Sequence, residues 1–448
     1  MTKHIFKLKL CLILACFTTL FATAQDVPFT PRLIDGNTFI NIKGDYTFLS
    51  NSVMNRVFTD GTGVNTPYDG NGSNNSLHVE YVDIDSDPTT FNSSSSTLSL
   101  PDCSQIFWAG LYWAGNYDVE RDGDHRSRYV SVFTDDSNHF DVTEVKLRVP
   151  GSTTYIDLQA DNNPDPVGEE DAIIVDGYNT IANDPYVCYK NVTNILRALP
   201  DATGEYFVGN VRGTRGATTY GAAGWTLVVI YENPTLPGRY ISVFDGYEGV
   251  TTQSGNSTAD ITVSGFNTIP FGPVNARIGV STLEGETSLS GDTFGIISNS
   301  SSSFTDISNS ANPNNNFFNS TISEDGVNVA TRNINSTNAI GFDSDVFDLN
   351  NPSNSIIDNG DTSATLRLGT SGDWFASFLV TFAVEIIEPQ IVLEKRVEDI
   401  GGNDITGMGV NLGQSLEYIL SFVNTGNDDA TNYSIRDVLP TNVTLDES

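Results

Sequence analysis

Alternating carboxylates are the residues of this chain whose type and spacing best suit a chemical task. Asp83, Asp85 and Asp87 stand at every second position of Asp83-Ile84-Asp85-Ser86-Asp87, and Asp118, Glu120, Asp122 and Asp124 repeat the pattern around Gly123. A loop that follows a strand can fold such acids onto one hard cation, and oxygen-ligated calcium is the cation that fits. Calcium is therefore a candidate cofactor, held by Asp83, Asp85 and Asp87 or by Asp118, Asp122 and Asp124. Neither stretch has the EF-hand spacing, so both also read as hydrated turns on an acidic surface. The run from Asp161 to Asp171, DNNPDPVGEED, reads as a solvated loop.

Other chemistries have less to stand on. Beyond residue 24 the histidines are His78, His125 and His139, with no H-E-x-x-H, no G-x-S-x-G and no nucleophile-like cysteine. A glycosidase needs two carboxylates across a cleft, but among 56 acids some pair is always close, so abundance carries no information. No catalytic residue is expected. Rings that stack on sugars are a further option: Trp108, Trp113, Trp225 and Trp374 lie in apolar runs and belong to the core, which leaves Tyr117, Tyr220 and Tyr247 in loops as contacts. None of these singles itself out.

The elements that must position such groups begin with a leader. MTKHIFKLKLCLILACFTTLFATAQ has three lysines, an apolar run from Leu10 to Phe21 and Ala22-Thr23-Ala24 before Gln25, the layout of a secretory signal peptide over residues 1–24. Cleavage before Cys16, as in a lipoprotein, would leave too short an apolar segment. Export removes Cys11 and Cys16. Cys103 and Cys188 remain, and in an oxidising compartment they are expected to form a disulfide, contributing about 4–5 kcal/mol in the chain-entropy model. Two buried thiols are the alternative, and no C-x-x-C spacing points to zinc. The full chain carries a formal charge of −34, which argues against nucleic acid and anionic membrane as partners. Charged residues are still only 17% of the chain, a folded composition and not a polyacidic tail.

Most of the chain reads as short strands. Trp225 to Tyr231 has almost no polar interruption, as a strand covered on both faces requires, and Tyr240–Phe244 is expected to return beside it as a hairpin across Asn233-Pro234-Thr235-Leu236-Pro237-Gly238. Ile106 to Gly115 is a second core strand. Thr38 to Leu49 reads as two short strands around Lys43-Gly44-Asp45, and further strands are expected at 78–84, 129–133, 145–149, 260–263, 276–282, 364–368 and 374–387. Helical spacing occurs in Val192, Ile195, Leu196 and Leu199, ended by Pro200. This pattern gives an all-β fold: a jelly-roll or β-sandwich head over 25–387, as one unit or as two packed sandwiches, then an Ig-like β-sandwich repeat over 388–448.

Two resemblances add to this reading. The pattern Asn424-Thr425-Gly426-Asn427, Ala430-Thr431-Asn432, Asp437 and Leu439-Pro440 resembles an Ig-like repeat of bacterial surface proteins, a family of unknown molecular function often strung in tandem. The repeat stops early, so the chain is expected to be the front of a longer protein. Trp108-Ala109-Gly110-Leu111-Tyr112-Trp113 and Gly224 to Tyr231, with Phe244-Asp245-Gly246, resemble the head of Bacteroidetes cell-surface proteins exported by the type IX secretion system, including the SprB-type adhesins of gliding motility. The resemblance implies a non-enzymatic, cell-surface adhesin that binds a surface, polysaccharide or protein ligand. Its further partners would be outer-membrane secretion or motility machinery. A secreted carbohydrate-active enzyme with a binding head and a structural spacer of a surface filament are the alternatives.

Overall fold

The computed structural model describes residues 27–58, 60–117, 119–122, 125–129, 142–161, 172–174, 185–217, 221–252, 255–372, 374–387, 391–424, 430 and 433–446, with the backbone alone at 119–122, 125–129, 172–174 and 217. In chain order its main strands start with β1 (Val27–Pro31), β2 (Ile40–Ser52), β3 (Ser93–Leu98), β4 (Gln105–Asn116), β5 (Glu144–Arg148) and β6 (Ile156–Gln159). Next come β7 (Pro185–Asn191), β8 (Gly204–Gly209), β9 (Ala223–Glu232), β10 (Gly238–Thr251), β11 (Thr258–Ser264) and β12 (Ala276–Gly285). The last are β13 (Asp292–Ser298), β14 (Gly341–Asp348), β15 (Ser363–Thr370), β16 (Trp374–Glu385), β17 (Ile391–Asp399) and β18 (Leu416–Asn424).

Every side chain of β9 from Ala223 to Tyr231 is buried. Alternation along the strand sends Trp225, Leu227 and Val229 to one face and Val228 and Ile230 to the other. The first set packs with Trp113 of β4 and with Leu147, Leu158 and Val208 from β5, β6 and β8. The second set meets Ile241 and Val243 of β10 and Phe378 of β16 across an interface. On the far side of that second sheet, Ile278, Phe382 and Val384 pack against Ile261, Phe294 and Leu366 of β11, β13 and β15. Four layers result. An outer sheet β6-β5-β8-β3, an inner sheet β7-β4-β9-β2, a second inner sheet β2-β10-β16-β12-β14 and an outer sheet β11-β15-β13 make two sandwiches packed back to back.

The strand shared by the two inner sheets is β2, and here the expected hairpin is corrected. Ile40–Lys43 pair with Gly238–Ile241 of β10, whereas Gly44–Ser52 pair with Gly224–Glu232 of β9, so β9 and β10 lie on β2 and not on each other. The two short strands expected over 38–49 are one strand of 13 residues. The handover falls at Gly44, where a Cβ would collide with the Tyr231 carbonyl, so only glycine lets β9 approach that closely. The Asn92–Ser96 tract is also more ordered than its composition implies. Ser93–Ser96 form buried β3, with the Ser94 hydroxyl accepting from Trp225 Nε1 at 2.9 Å and Ser95 donating to Glu205 at 2.6 Å.

The helix is shorter than its spacing implies, Thr193–Arg197, with the Asn191 side chain accepting the Thr193 N–H at 3.0 Å. At the C-terminal end, β17 and β18 form a two-stranded ladder, and 433–438 is irregular. Asp437 there pairs with Lys395 at 2.7 Å and Tyr433 packs on Phe422. The boundary at 388–390 lies outside the described residues, as do Tyr129–Phe133 beyond Tyr129.

The disulfide is a second correction. Cys188 stands opposite Trp113 in the β7–β4 ladder, while Cys103 sits in the exposed turn before β4 begins. Roughly 30 Å of extended strand separates the two positions, and a bridge needs Cα atoms within about 7 Å. Cys188 is a buried thiol that donates to the Val142 carbonyl at 3.4 Å.

Two measurements check this architecture. Leu227→Ala, in the fully buried strand, should lower unfolding free energy by about 2–5 kcal/mol in denaturant titration. Cys103→Ser should change it by no more than about 0.5 kcal/mol, and a thiol reagent should label Cys103 in the native protein while Cys188 reacts only after unfolding.

Candidate functional site

A groove of about 650 Å³ opens on the outer sheet of the first sandwich, between the loop Pro88–Phe91 and residues 144–146 of β5 and 157–159 of β6, with Asn210 and Arg212 beside them. Strand alternation builds its wall. Glu144, Lys146, Asp157 and Gln159 alternate with Val145 and Leu158, which line the groove as well and continue into the core with Leu147. The antiparallel register sets Asp157 opposite Lys146 and Gln159 opposite Glu144. Lys146 and Asp157 form an ion pair, and Gln159 Nε2 donates to Thr143 Oγ1.

The opposite wall is fastened from distant parts of the chain. The Phe91 N–H donates to Asn210 Oδ1 at 2.9 Å, the Phe91 ring packs on Tyr81, and the Arg212 guanidinium lies 4.3 Å over the Phe91 ring. Arg212 is buried, and its carbonyl accepts from Tyr186 at 2.7 Å. Thr89 donates its hydroxyl to Asp87 at 2.7 Å. Two acids and two bases line the groove, Glu144 and Asp157 against Lys146 and Arg212, so its charges balance in a chain of −34.

The acidic loop 83–87 is the neighbour of this groove, and its carboxylates turn to protein donors. Asp85 Oδ2 pairs with Arg148 at 2.6 Å and accepts from the Tyr155 hydroxyl at 2.8 Å. Asp83 Oδ1 accepts from Ser93 at 3.0 Å, and Asp87 serves Thr89. Hydrogen bonds from Thr89 hold Asp87 below the ordinary carboxylate range. Among the described residues no three His, Cys, Asp or Glu side chains gather in a way that could hold a metal ion. Asp118 and Asp124 lie outside the described residues, as does the side chain of Asp122.

The remaining candidates fall as follows. Tyr117 and Tyr247 are each 1% exposed and belong to the core, which removes them as contacts, while Tyr220 lies outside the described residues. Trp108, Trp113 and Trp225 are buried as expected, and Trp374 is half-buried against the core. His78 contacts Glu80 at 3.3 Å; His139 and the side chain of His125 are not described. Sequence reasoning missed Glu144, Lys146, Asp157 and Gln159. Their signal was present in the alternation of Glu144-Val145-Lys146-Leu147-Arg148, whose polar members share a face.

Away from the groove, two carboxyl groups are buried side by side on β14. Asp343 accepts the backbone N–H groups of Asn319, Ser320 and Thr321 at 2.6–3.1 Å. Asp345 accepts from Ser323 at 2.5 Å and from Asn312 at 3.0 Å. Burial pushes Asp343 up to about 7, and burial together with the charge of Asp343 pushes Asp345 well above the ordinary range. Folding therefore takes up protons between about pH 4 and about pH 7, and stability falls as pH rises through that window. The melting temperature should drop from about pH 5 to about pH 8, and Asp345→Asn should show a shallower slope by calorimetry.

Compared with known proteins, the chain matches no family model, no curated protein and no solved structure.

Proposed function

We propose that the chain is the head of an exported, non-enzymatic cell-surface adhesin, holding a surface, polysaccharide or protein ligand. The observation that carries this reading is the groove. It lies on an outermost sheet of a four-layer body and is lined by hydrogen-bonding side chains interspersed with Pro88, Phe91, Val145 and Leu158. Its lining residues include no histidine and no cysteine, and Asp157, one of its two carboxylates, is ion-paired with Lys146. That chemistry suits recognition better than bond cleavage. Export by outer-membrane secretion or motility machinery belongs to the same reading and is supported by the leader over 1–24 and by the two resemblances.

The purified chain should coat at least one of three supports, hydrophilic glass, a hydrophobic surface or an immobilised polysaccharide, and should release no reducing ends from polysaccharide. Retention on none of the three, with correct folding by circular dichroism, would favour a spacer; released sugar would favour an enzyme. EDTA added to the assay asks for calcium at Asp83, Asp85 and Asp87 or at Asp118, Asp122 and Asp124; at the first stretch Arg148 competes for Asp85.

A further inference from the structure

We infer that the groove between Pro88–Phe91 and the β5–β6 face takes a stretch of neutral polysaccharide; this rests on the adhesin reading and names the ligand class. Charge is the first selector. The long-range field of a chain at −34 repels polyanions, while Lys146 and Arg212 within the groove offset Glu144 and Asp157 and leave no excess to draw a polycation. A ligand without net charge pays neither penalty.

Hydrogen-bonding chemistry is the second. Gln159 is tied to Thr143, Lys146 to Asp157 and Thr89 to Asp87, so each side chain is fixed in place while retaining further donor or acceptor capacity. Sugar hydroxyls both donate and accept, and a fixed mixture of amide, hydroxyl and charged groups matches them without demanding a formal charge on the ligand. The groove runs along β5 and β6, which pair through Asp157–Lys146 and Gln159–Glu144; β6 ends that sheet, so a peptide added along its outer edge is the rival occupant, which the peptide array below distinguishes.

The test presents the purified chain with neutral polymers (a mannan, a β-glucan and a galactan), with alginate as the anionic polymer, and with a peptide array. At least one neutral polymer should bind, with a Kd that changes less than about twofold between roughly 50 and 500 mM salt. Gln159→Ala and Thr89→Ala should each weaken that binding about fivefold, the effect of one hydrogen bond, with the melting temperature unchanged. Preference for alginate, binding to peptides alone, or neutral-polymer binding that both variants retain in full would overturn the inference. If no carbohydrate binds while the chain still coats glass or a hydrophobic surface, the ligand class is wrong and the adhesin reading stands. If it binds nothing at all, both fail.

Discussion

A strand without a polar face has to be covered twice, and the rest of this fold follows from that requirement at β9. Trp225, Leu227 and Val229 on one side and Val228 and Ile230 on the other leave no surface for water. One sandwich would cover one face only. Because β4 is buried in the same way, with Trp113 on one side and Trp108 and Tyr112 on the other, the first inner sheet needs a second inner sheet behind it. That second sheet carries Phe382 and Val384 on its own far face and so needs an outer sheet in turn. Each added apolar face recruits a further layer until β11, β13 and β15 end the series with Thr258, Asp260, Thr262 and Arg367 toward solvent.

The interface between the inner sheets is not uniformly apolar, and its polar contacts fix how the two sandwiches meet. Ser50 and Thr226 from one sheet and Ser281 and Ser344 from the other form a closed set of hydroxyl contacts at 2.7–3.2 Å. Nearer the rim, Tyr112 donates to Asp245 at 2.9 Å, and Arg32, following β1, pairs with the same carboxylate. Burial raises the Asp245 pKa, and the Arg32 charge works against that rise. Such groups are costly to leave unmatched in a low dielectric, so any slip of one sheet over the other would strand them. Apolar contact supplies adhesion between the layers, and the hydroxyl set and the Arg32–Asp245 pair supply register.

Much of this was legible in the sequence where the signal was local. Long apolar runs marked β4, β9 and β16, and the i, i+3, i+4 spacing marked the helix after Asn191. What the sequence did not show depends on partners far along the chain. Tyr240–Phe244 looks like the return of a hairpin until β2, almost 200 residues upstream, takes its place beside β9. Ser93–Ser96 look like a loop until Trp225 and Glu205 claim their hydroxyls. Gly341–Asp348 looks too acidic for a core strand, yet Asp343 and Asp345 are buried against the 309–323 segment. At 83–87 the sequence does not show that Arg148 arrives opposite Asp85. For the same reason the groove was invisible as a unit: its walls come from 88–91, 144–159 and 210–212.

The fate of the few cations explains why a strongly acidic chain can still offer a balanced groove. Arg148 lies 3.6 Å over Phe207 and pairs with Asp85; Arg212 lies over Phe91; Arg215 lies 4.9 Å over Tyr81 and pairs with Glu80. Since Phe91 and Tyr81 also touch, Arg212, Phe91, Tyr81 and Arg215 form one stack beneath the loop that walls the groove. Guanidinium groups used in this way act as packing elements and hold their charge close to the body, where rings and carboxylates neutralise it. Lys146 is treated likewise by Asp157. The outer sheet thereby avoids a basic patch, which an acidic protein would draw onto a second copy of itself. What remains at the groove is directional hydrogen bonding from fixed side chains beside Phe91, Val145 and Leu158, with no excess of charge of either sign.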